Sequence, residues 1–562
     1  MNHLVGNFYR LHRQLICLGV LIVFIGVGFN LSSGRALLEE PSGAGAILKS
    51  DNNPFLTLRV HNAGKIGLTV TNKGQIGTGA FGIDPLDPLT GLPAPSCQYP
   101  FPSVKEHLFT GAIWIGAVVG EDTLVSVGVD GWQYIQELWP EAYPQGDMGY
   151  DSVLSQQDVT AVYSDTLTDS AYVVSDPTDG RPHMPLNIEI TQRSYSWSYP
   201  IAEDFVLFDY SIKNIGDEVL DEMYVGIYVD GDVLNGTVMN GHEDDICGFK
   251  TSIPSIQGCG FIDTVNIAWI ADNDGLEGSP GCPYDTLSLT SVTGVSLIRT
   301  PSDSLRMNFN WWRSNGIPSY DWGPRLAGTP ENPFRDFGGF LGTPEGDRNK
   351  YYIMSHQEFD YDQLFTAVDH SSNGWLPPPA NSFDLADGFD TKYLLSFGPF
   401  TLPPGQTLPI TLSYVAGEDF HYECNAFDSL FEHLNPWAFY DYLDFGSLGK
   451  NAIYAAWFYD NPGVDTDSDG YYWKFRICGD DTLYYQGDGI PDFAPYSICG
   501  DVNGDGVVNL IDITYLIDYM YGDGPQPMTF KLSDVNNDGY CNILDITRLI
   551  NFLYMGGAAP EC

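Results

Sequence analysis

Two matched stretches near the C-terminal end carry the residues with the clearest chemical potential. They read Asp501-Val-Asn-Gly-Asp-Gly-Val-Val-Asn-Leu-Ile-Asp512 and Asp534-Val-Asn-Asn-Asp-Gly-Tyr-Cys-Asn-Ile-Leu-Asp545. Each places side-chain oxygens at loop positions 1, 3, 5, 9 and 12 and glycine at position 6, the spacing with which a twelve-residue loop wraps a hard divalent cation. Ca2+ takes roughly six to eight oxygen ligands. The expected donors in the first stretch are Asp501, Asn503, Asp505, Asn509 and Asp512, with the backbone carbonyl of Val507. In the second they are Asp534, Asn536, Asp538, Asn542 and Asp545, with the carbonyl of Tyr540. Gly506 and Gly539 permit the sharp turn. One such loop reads equally well as a solvated acidic turn; two copies in the same register argue for two bound Ca2+ ions.

Those loops must be held by short helices. Ile513, Leu516, Ile517 and Met520 recur at helical spacing, as do Ile546, Leu549, Ile550 and Leu553, and Gly522 and Gly556 stand where such helices stop. No helix enters the first loop, because Pro491, Pro495 and Gly500 interrupt the chain there. Position 12 is Asp rather than the Glu of a complete helix–loop–helix hand. A duplicated loop-plus-helix unit without the entering helix resembles the type I dockerin module, over residues 499–562. The resemblance implies a small Ca2+-folded domain that docks onto a cohesin domain of another protein. It also implies where the cohesin touches: Leu510, Ile511, Ile517 and Asp518 in the first copy, and Ile543, Leu544, Ile550 and Asn551 in the second. The alternative for the two apolar pairs is core packing beneath the helices. The family's adjacent ends make Cys499–Cys562 one expected disulfide; the rival is Cys541–Cys562, with Cys499 free or joined to Cys478.

Upstream, Asp465-Thr-Asp-Ser-Asp-Gly470 and Gly487-Asp-Gly-Ile-Pro-Asp492 partly resemble thrombospondin type 3 calcium repeats. Asp465, Asp467 and Asp469 therefore read either as a third Ca2+ site or as a solvated acidic loop.

The first residues have the layout of an exported chain. Arg10, His12 and Arg13 precede an apolar run over 15–29 and the small residues Ser32, Ser33, Gly34 and Ala36, which reads as a signal peptide over 1–36. The run is shorter than the ~20 residues of a membrane-spanning helix, so no membrane span is expected after cleavage. With 73 Asp and Glu against 25 Lys and Arg, the formal net charge of −48 makes nucleic acid and anionic membranes poor partners. Of ten cysteines, Cys17 would leave with the signal, and the rest form no CxxC pair, so disulfides are the default reading in an oxidising compartment. Cys247, Cys259 and Cys282 are near enough in sequence to pair locally.

Between 53 and 417 the chain reads as short strands and turns. Runs 55–60 and 66–71 flank a hairpin turn, 113–119 and 124–129 flank another, and Val206, Phe208, Tyr210 and Ile212 alternate with polar residues. With 37 prolines, this pattern predicts a mainly β body of tandem β-sandwiches, immunoglobulin-like or jelly-roll. We expect β-rich domains over 50–200 and 201–420 divided near Pro200, a helical segment over 425–460, an acidic Asp/Gly-rich linker over 461–498, and the small helical module over 499–562. Asn435 and Pro436 suit the start of a helix at 437–443, and a second run covers 448–458.

Catalytic signatures are sparse. HExxH, GxSxG and the phosphate-binding GxxxxGK are absent, and the GxGxxG at Gly77, Gly79 and Gly82 runs into a proline-rich stretch rather than a helix. Glu203/Asp204, Glu243/Asp244/Asp245 and Asp360/Asp362 are carboxylate groups of the kind glycoside hydrolysis uses. Trp311, Trp312, Tyr320 and Trp322 are aromatic groups of the kind that stack on sugars, though such residues more often belong to a core. The expected function is a secreted Ca2+-binding protein tethered to a cohesin-bearing scaffold in a polysaccharide-associated setting, with a non-catalytic body. The alternatives are a glycoside hydrolase or carbohydrate-binding protein, with polysaccharide as a further partner, and a structural surface or adhesion protein.

Overall fold

Alternation along a single strand sets the layering of the body. In Phe205–Asn214, Val206, Phe208, Tyr210 and Ile212 enter one apolar core, while Phe205 and Leu207 enter another. A strand apolar on both faces must be covered on both faces. The computed structural model describes residues 56–79, 85–130, 135–140, 149–150, 154–238, 241–276, 282–301, 305–313, 322–328, 344–463, 473–489, 491–492, 499–503, 508–522, 524, 527, 530–536 and 538–560.

Two antiparallel sheets result. The eleven-stranded sheet has Gln75–Gly77, Thr110–Val119, Leu220–Asp230, Thr391–Leu402 and Arg306–Arg313 side by side. The nine-stranded sheet runs in the order Asp245–Pro254, Ile262–Asp272, Val292–Arg299, Thr407–Gly417, Phe205–Asn214, Ile188–Ser196, Gln157–Ser164 and Trp139–Pro140. Their facing sides share one core, with Ile113, Val225 and Leu395 from the first sheet and Ile190, Phe208 and Leu412 from the second. Both expected hairpins form: Leu58–His61 pairs with Gly67–Thr71, and Thr110–Val119 with Asp122–Val127.

Helices close the two outer faces. Helix α1 (Gly346–Ser355) lays Ile353 and Met354 against Trp114, Tyr228 and Trp312 of the larger sheet. Helix α2 (Gly446–Tyr459) lays Leu448, Ala452 and Phe458 against Phe205, Leu207 and Trp269 of the smaller one. The body is therefore mainly β, with its helical segment packed as an outer layer. Lys350 of α1 reaches Asp130 at 3.0 Å, an ion pair enclosed by protein on both sides.

The division expected near Pro200 falls inside this stack, and here the expectation is corrected. Strands from both sides of Pro200 occupy each sheet, so 50–200 and 201–420 build one wide sandwich and not two in tandem. The reason is pairing over long sequence distances: Phe205–Asn214 lies between its chain neighbour Ile188–Ser196 and the remote Thr407–Gly417. The stretch expected as a linker also holds structure. Lys474–Cys478 and Asp481–Gln486 form a hairpin, fastened to the body by a Cys259–Cys478 disulfide and by Arg476 on Asp263 at 2.7 Å.

The cysteine pairing differs from the local expectation. Cys259 joins Cys478 and Cys282 joins Cys424, while Cys247 is a buried free thiol. Cys247 points into the inter-sheet core, which takes it out of reach of its sequence neighbours. Within the C-terminal module Cys541 is free and Cys499 is disulfide-bonded, which removes the rival in which Cys541 is paired and Cys499 is free or joined to Cys478. The expected signal peptide at 1–36, the acidic run with Asp465, Asp467 and Asp469, Gly82, Tyr320 and Cys562 all lie outside the described residues. Among the described residues, no helix is long and apolar enough to cross a membrane.

Candidate functional site

Helices α3 (Leu510–Tyr521) and α4 (Ile543–Met555) hold the two loop copies. Their starts are built identically. Asn509 accepts a hydrogen bond from the Ile511 backbone N–H at 2.7 Å, and Asn542 accepts one from Leu544 at 2.9 Å. Asp512 and Asp545 return the bond to the Asn509 and Asn542 N–H groups at 2.7 Å, completing a capping box at each helix. Gly556 closes α4 at φ 67°, a left-handed conformation that costs glycine little.

The position-12 aspartates also reach back across their loops. Asp512 Oδ1 accepts from the Val502 and Asn503 N–H groups at 2.7 and 3.2 Å, and Asp545 Oδ1 accepts from Asn536 at 3.3 Å. Asp501, Asp512, Asp534 and Asp545 are all buried. In the second loop Asp534 accepts from the Asp538 and Gly539 N–H groups at 3.0 and 2.7 Å, and Gly539 takes φ 85°. Asp538 accepts from Tyr540 N–H at 2.9 Å, and Asn542 donates its amide to the Tyr540 carbonyl at 3.1 Å. Asp505 and Val507 of the first loop lie outside the described residues.

This donor set suits Ca2+. Burial pushes the pKa of Asp545 up, and the nearby Asp534 and Asp538 carboxylates add to the rise, while backbone N–H groups oppose it. Like charges enclosed together need a counter-charge, and the side chains at the ligand positions of the loop all carry oxygen, the preference of a hard cation. Asp534, Asn536, Asp538 and Asp545, with the Tyr540 carbonyl, would hold the ion in the second loop. Asn542 already uses Oδ1 as a helix cap, so its contribution fits the water-bridged role common at position 9.

Beneath the loops lies a small two-fold core. Val502, Ile513 and Leu516 from the first copy pack with Val535, Ile546 and Leu549 from the second, position for position. The residues expected to meet a partner are placed elsewhere. Leu510, Ile511, Ile543 and Leu544 each leave between 53% and 56% of their surface open, and Ile517, Asp518, Ile550 and Asn551 are also exposed. The sequence reading missed Tyr521 and Tyr554, which occupy equivalent positions one turn after Ile517 and Ile550 and are more exposed still. Their four-residue spacing from those isoleucines was the available signal.

The candidate chemical groups of the body are engaged in structure. Trp311 and Trp312 are fully buried on opposite faces of Arg306–Arg313, and Trp322 packs edge-on against Trp311. They are core residues, because the strand's alternation sends one into each apolar layer. Asp360 accepts from Trp311 N–H at 3.0 Å, and Asp362 accepts from Phe249 N–H at 2.9 Å, with burial lifting its pKa to about 7. Lys65 bridges Glu203 at 3.0 Å and Asp204 at 3.7 Å, and the Tyr99 hydroxyl donates to Asp204 at 2.8 Å.

Residues 499–554 match the family described as Dockerin type I domain. Type I dockerins bind Ca2+ and have cohesins as partners, so both belong to this segment. No curated protein matches the chain. Among solved structures it is similar to a protein described as a candidate aldose 1-epimerase, from Escherichia coli K12, at 10% identity, covering 65% of this chain and 99% of that chain with a TM-score of 0.21. A score that low carries no argument about the body.

Proposed function

We propose that this chain is an exported component of a cohesin-organised, cellulosome-like assembly, attached by its C-terminal dockerin. The two loops each take one Ca2+, and the cohesin docks on Leu510, Ile511, Ile517 and Asp518, or on Ile543, Leu544, Ile550 and Asn551. One observation carries the docking reading: each copy leaves a pair of large aliphatic residues open to water beside a third that is buried. Leu510 and Ile511 are exposed where Ile513 is enclosed, and Ile543 and Leu544 repeat the arrangement beside Ile546. Exposed aliphatic patches of this kind mark contact surfaces. Because the copies share one core about a pseudo-twofold, they present near-equivalent faces, and a cohesin can seat on either after a half-turn.

The test uses the full chain and an immobilised type I cohesin. Leu510→Asp with Ile511→Asp should leave helicity and Ca2+ binding intact and capture nearly unchanged, since the second face still serves. Adding Ile543→Asp and Leu544→Asp should abolish capture. Loss of fold in the first pair would make these residues core and overturn the site.

A further inference from the structure

Where the helical layer covers the smaller sheet, two segments 142 residues apart form the walls of an open cleft. One wall is Pro283 and Tyr284; the other is Tyr422, Glu423, Cys424 and Asn425. The Cys282–Cys424 disulfide ties the walls together, so a covalent bond holds them side by side. The cleft measures about 460 Å³, inside the ~300–1,000 Å³ range of small-molecule sites.

Tyr422 is the residue that distinguishes this cleft from a surface crease. It leaves 55% of its surface open to water, yet its backbone is pinned. The Tyr422 and Glu423 N–H groups donate to the Tyr442 hydroxyl at 2.8 and 2.7 Å, and that hydroxyl donates to the Glu423 carbonyl at 3.1 Å. One side of the Tyr422 ring rests against Tyr442, with centroids 4.4 Å apart, and Tyr442 rests in turn on the buried Phe439 at 5.7 Å. On the facing wall Tyr284 is half-buried, and its hydroxyl donates to the Asp274 carbonyl at 2.8 Å. A large ring held in place and open to water loses little freedom when a ligand covers it, which favours binding.

The polar edge decides what covers the ring. Glu423 and Asn425 stand exposed in the same wall, and none of the lining residues is Lys or Arg. An anionic ligand would therefore meet Glu423 without a counter-charge, and a wholly apolar one would strip water from it. A caged ammonium needs ring faces on several sides, whereas Tyr422 is open over more than half of its surface. A sugar ring suits both parts of the cleft. Its C–H face lies flat on an aromatic face, while its hydroxyls project sideways, as donors to a carboxylate and as donors or acceptors to an amide.

We infer that this cleft binds a neutral carbohydrate, with one sugar ring stacked on Tyr422 and its hydroxyls bonded to Glu423 and Asn425. The site belongs to the body and does not depend on the reading given to the dockerin.

The test is calorimetric titration of the full Ca2+-loaded chain with xylohexaose, cellohexaose and mannohexaose in turn, at least one of which should bind. Tyr422→Ala should weaken that binding about tenfold or more, while Tyr422→Phe should leave it nearly unchanged, because stacking needs the ring and not the hydroxyl. Glu423→Gln, which keeps the shape and removes the charge, should weaken it by a smaller factor. Trp437→Ala, at an equally exposed ring outside the cleft, should not alter it. Each variant should keep the sheet circular dichroism and unfolding midpoint of the parent, since these side chains face water. Failure of all three neutral oligosaccharides to bind at millimolar concentration overturns the proposal. So does binding that survives Tyr422→Ala, or a stronger signal from hexylamine or oligogalacturonate than from the neutral sugars.

Discussion

The β body encloses Trp114, Trp269, Trp311 and Trp312 completely and has three separate apolar layers, one between its sheets and one beneath each outer helix. The dockerin encloses Val502, Ile513, Leu516, Val535, Ile546 and Leu549 and surrounds them with buried carboxylates. Burying one such side chain contributes roughly 1.5–3 kcal/mol before the loss of chain entropy is subtracted. The body has enough of them to fold on apolar burial. The dockerin has few, and its loops add carboxylate repulsion that a bound cation would offset. Stability in this chain therefore comes from two sources that respond to different agents.

Removing Ca2+ should separate them most sharply. On chelation, the full chain should lose the helical circular dichroism of α3 and α4 and keep its sheet signal, and heating should then show a body transition alone. Added Ca2+ should restore the helices. Helices α3 and α4 that survive in the apo chain would erase the contrast.

A smaller perturbation of the same kind is a cavity. Leu549→Ala and Ile270→Ala each delete a fully buried aliphatic side chain, at a cost of about 2–5 kcal/mol. In the dockerin that loss should unfold the module even at saturating Ca2+, read as lost helicity and lost cohesin capture. In the body it should lower the unfolding midpoint and leave the sheets intact at room temperature.

The mildest test concerns protons. His61 is enclosed between Ser194 and Ser196, at 2.7 and 3.0 Å, and burial lowers its pKa from 6.5 to about 3. The unfolded chain takes up that proton near pH 6.5, while the folded chain resists until about pH 3. The contribution of the neutral ring is thus present above pH 6.5 and is lost as the pH falls through that window. Relative to His61→Gln, the wild type should lose about 1.4 kcal/mol per pH unit below 6.5. Denaturant midpoints at pH 7 and pH 5.5 measure it. A gap that stays constant would show that His61 titrates normally, as an exposed ring does.

The legible parts were those set by local spacing. The dockerin loops, the stripes Ile513–Leu516 and Ile546–Leu549, and the two early hairpins need only residues within a few turns of one another. Sheet membership was not legible, because Phe205–Asn214 and Leu220–Asp230 are consecutive in sequence yet enter different sheets. No local pattern announces that Phe205–Asn214 will pair with a strand two hundred residues away. The disulfides of the body were not legible for the same reason, since sequence proximity among Cys247, Cys259 and Cys282 says nothing about which face each thiol occupies. Trp311 and Trp312 look like an exposed pair only until the strand's period assigns them to opposite layers.

The Cys259–Cys478 disulfide has a mechanical consequence. Consider a pull between the first strand of the body and a docked C-terminal module. Tension entering from the module runs back along the chain to Cys478, crosses the sulfur bridge to Cys259, and continues through Asp245–Pro254 into the earlier strands. The 219-residue stretch enclosed by the bridge, including Val292–Arg299, Thr391–Leu402, Thr407–Gly417 and both covering helices, lies off that path. Five of the twenty strands of the two sheets are thereby kept slack under load, and the hairpin at 474–486 serves as the shackle through which the tether pulls.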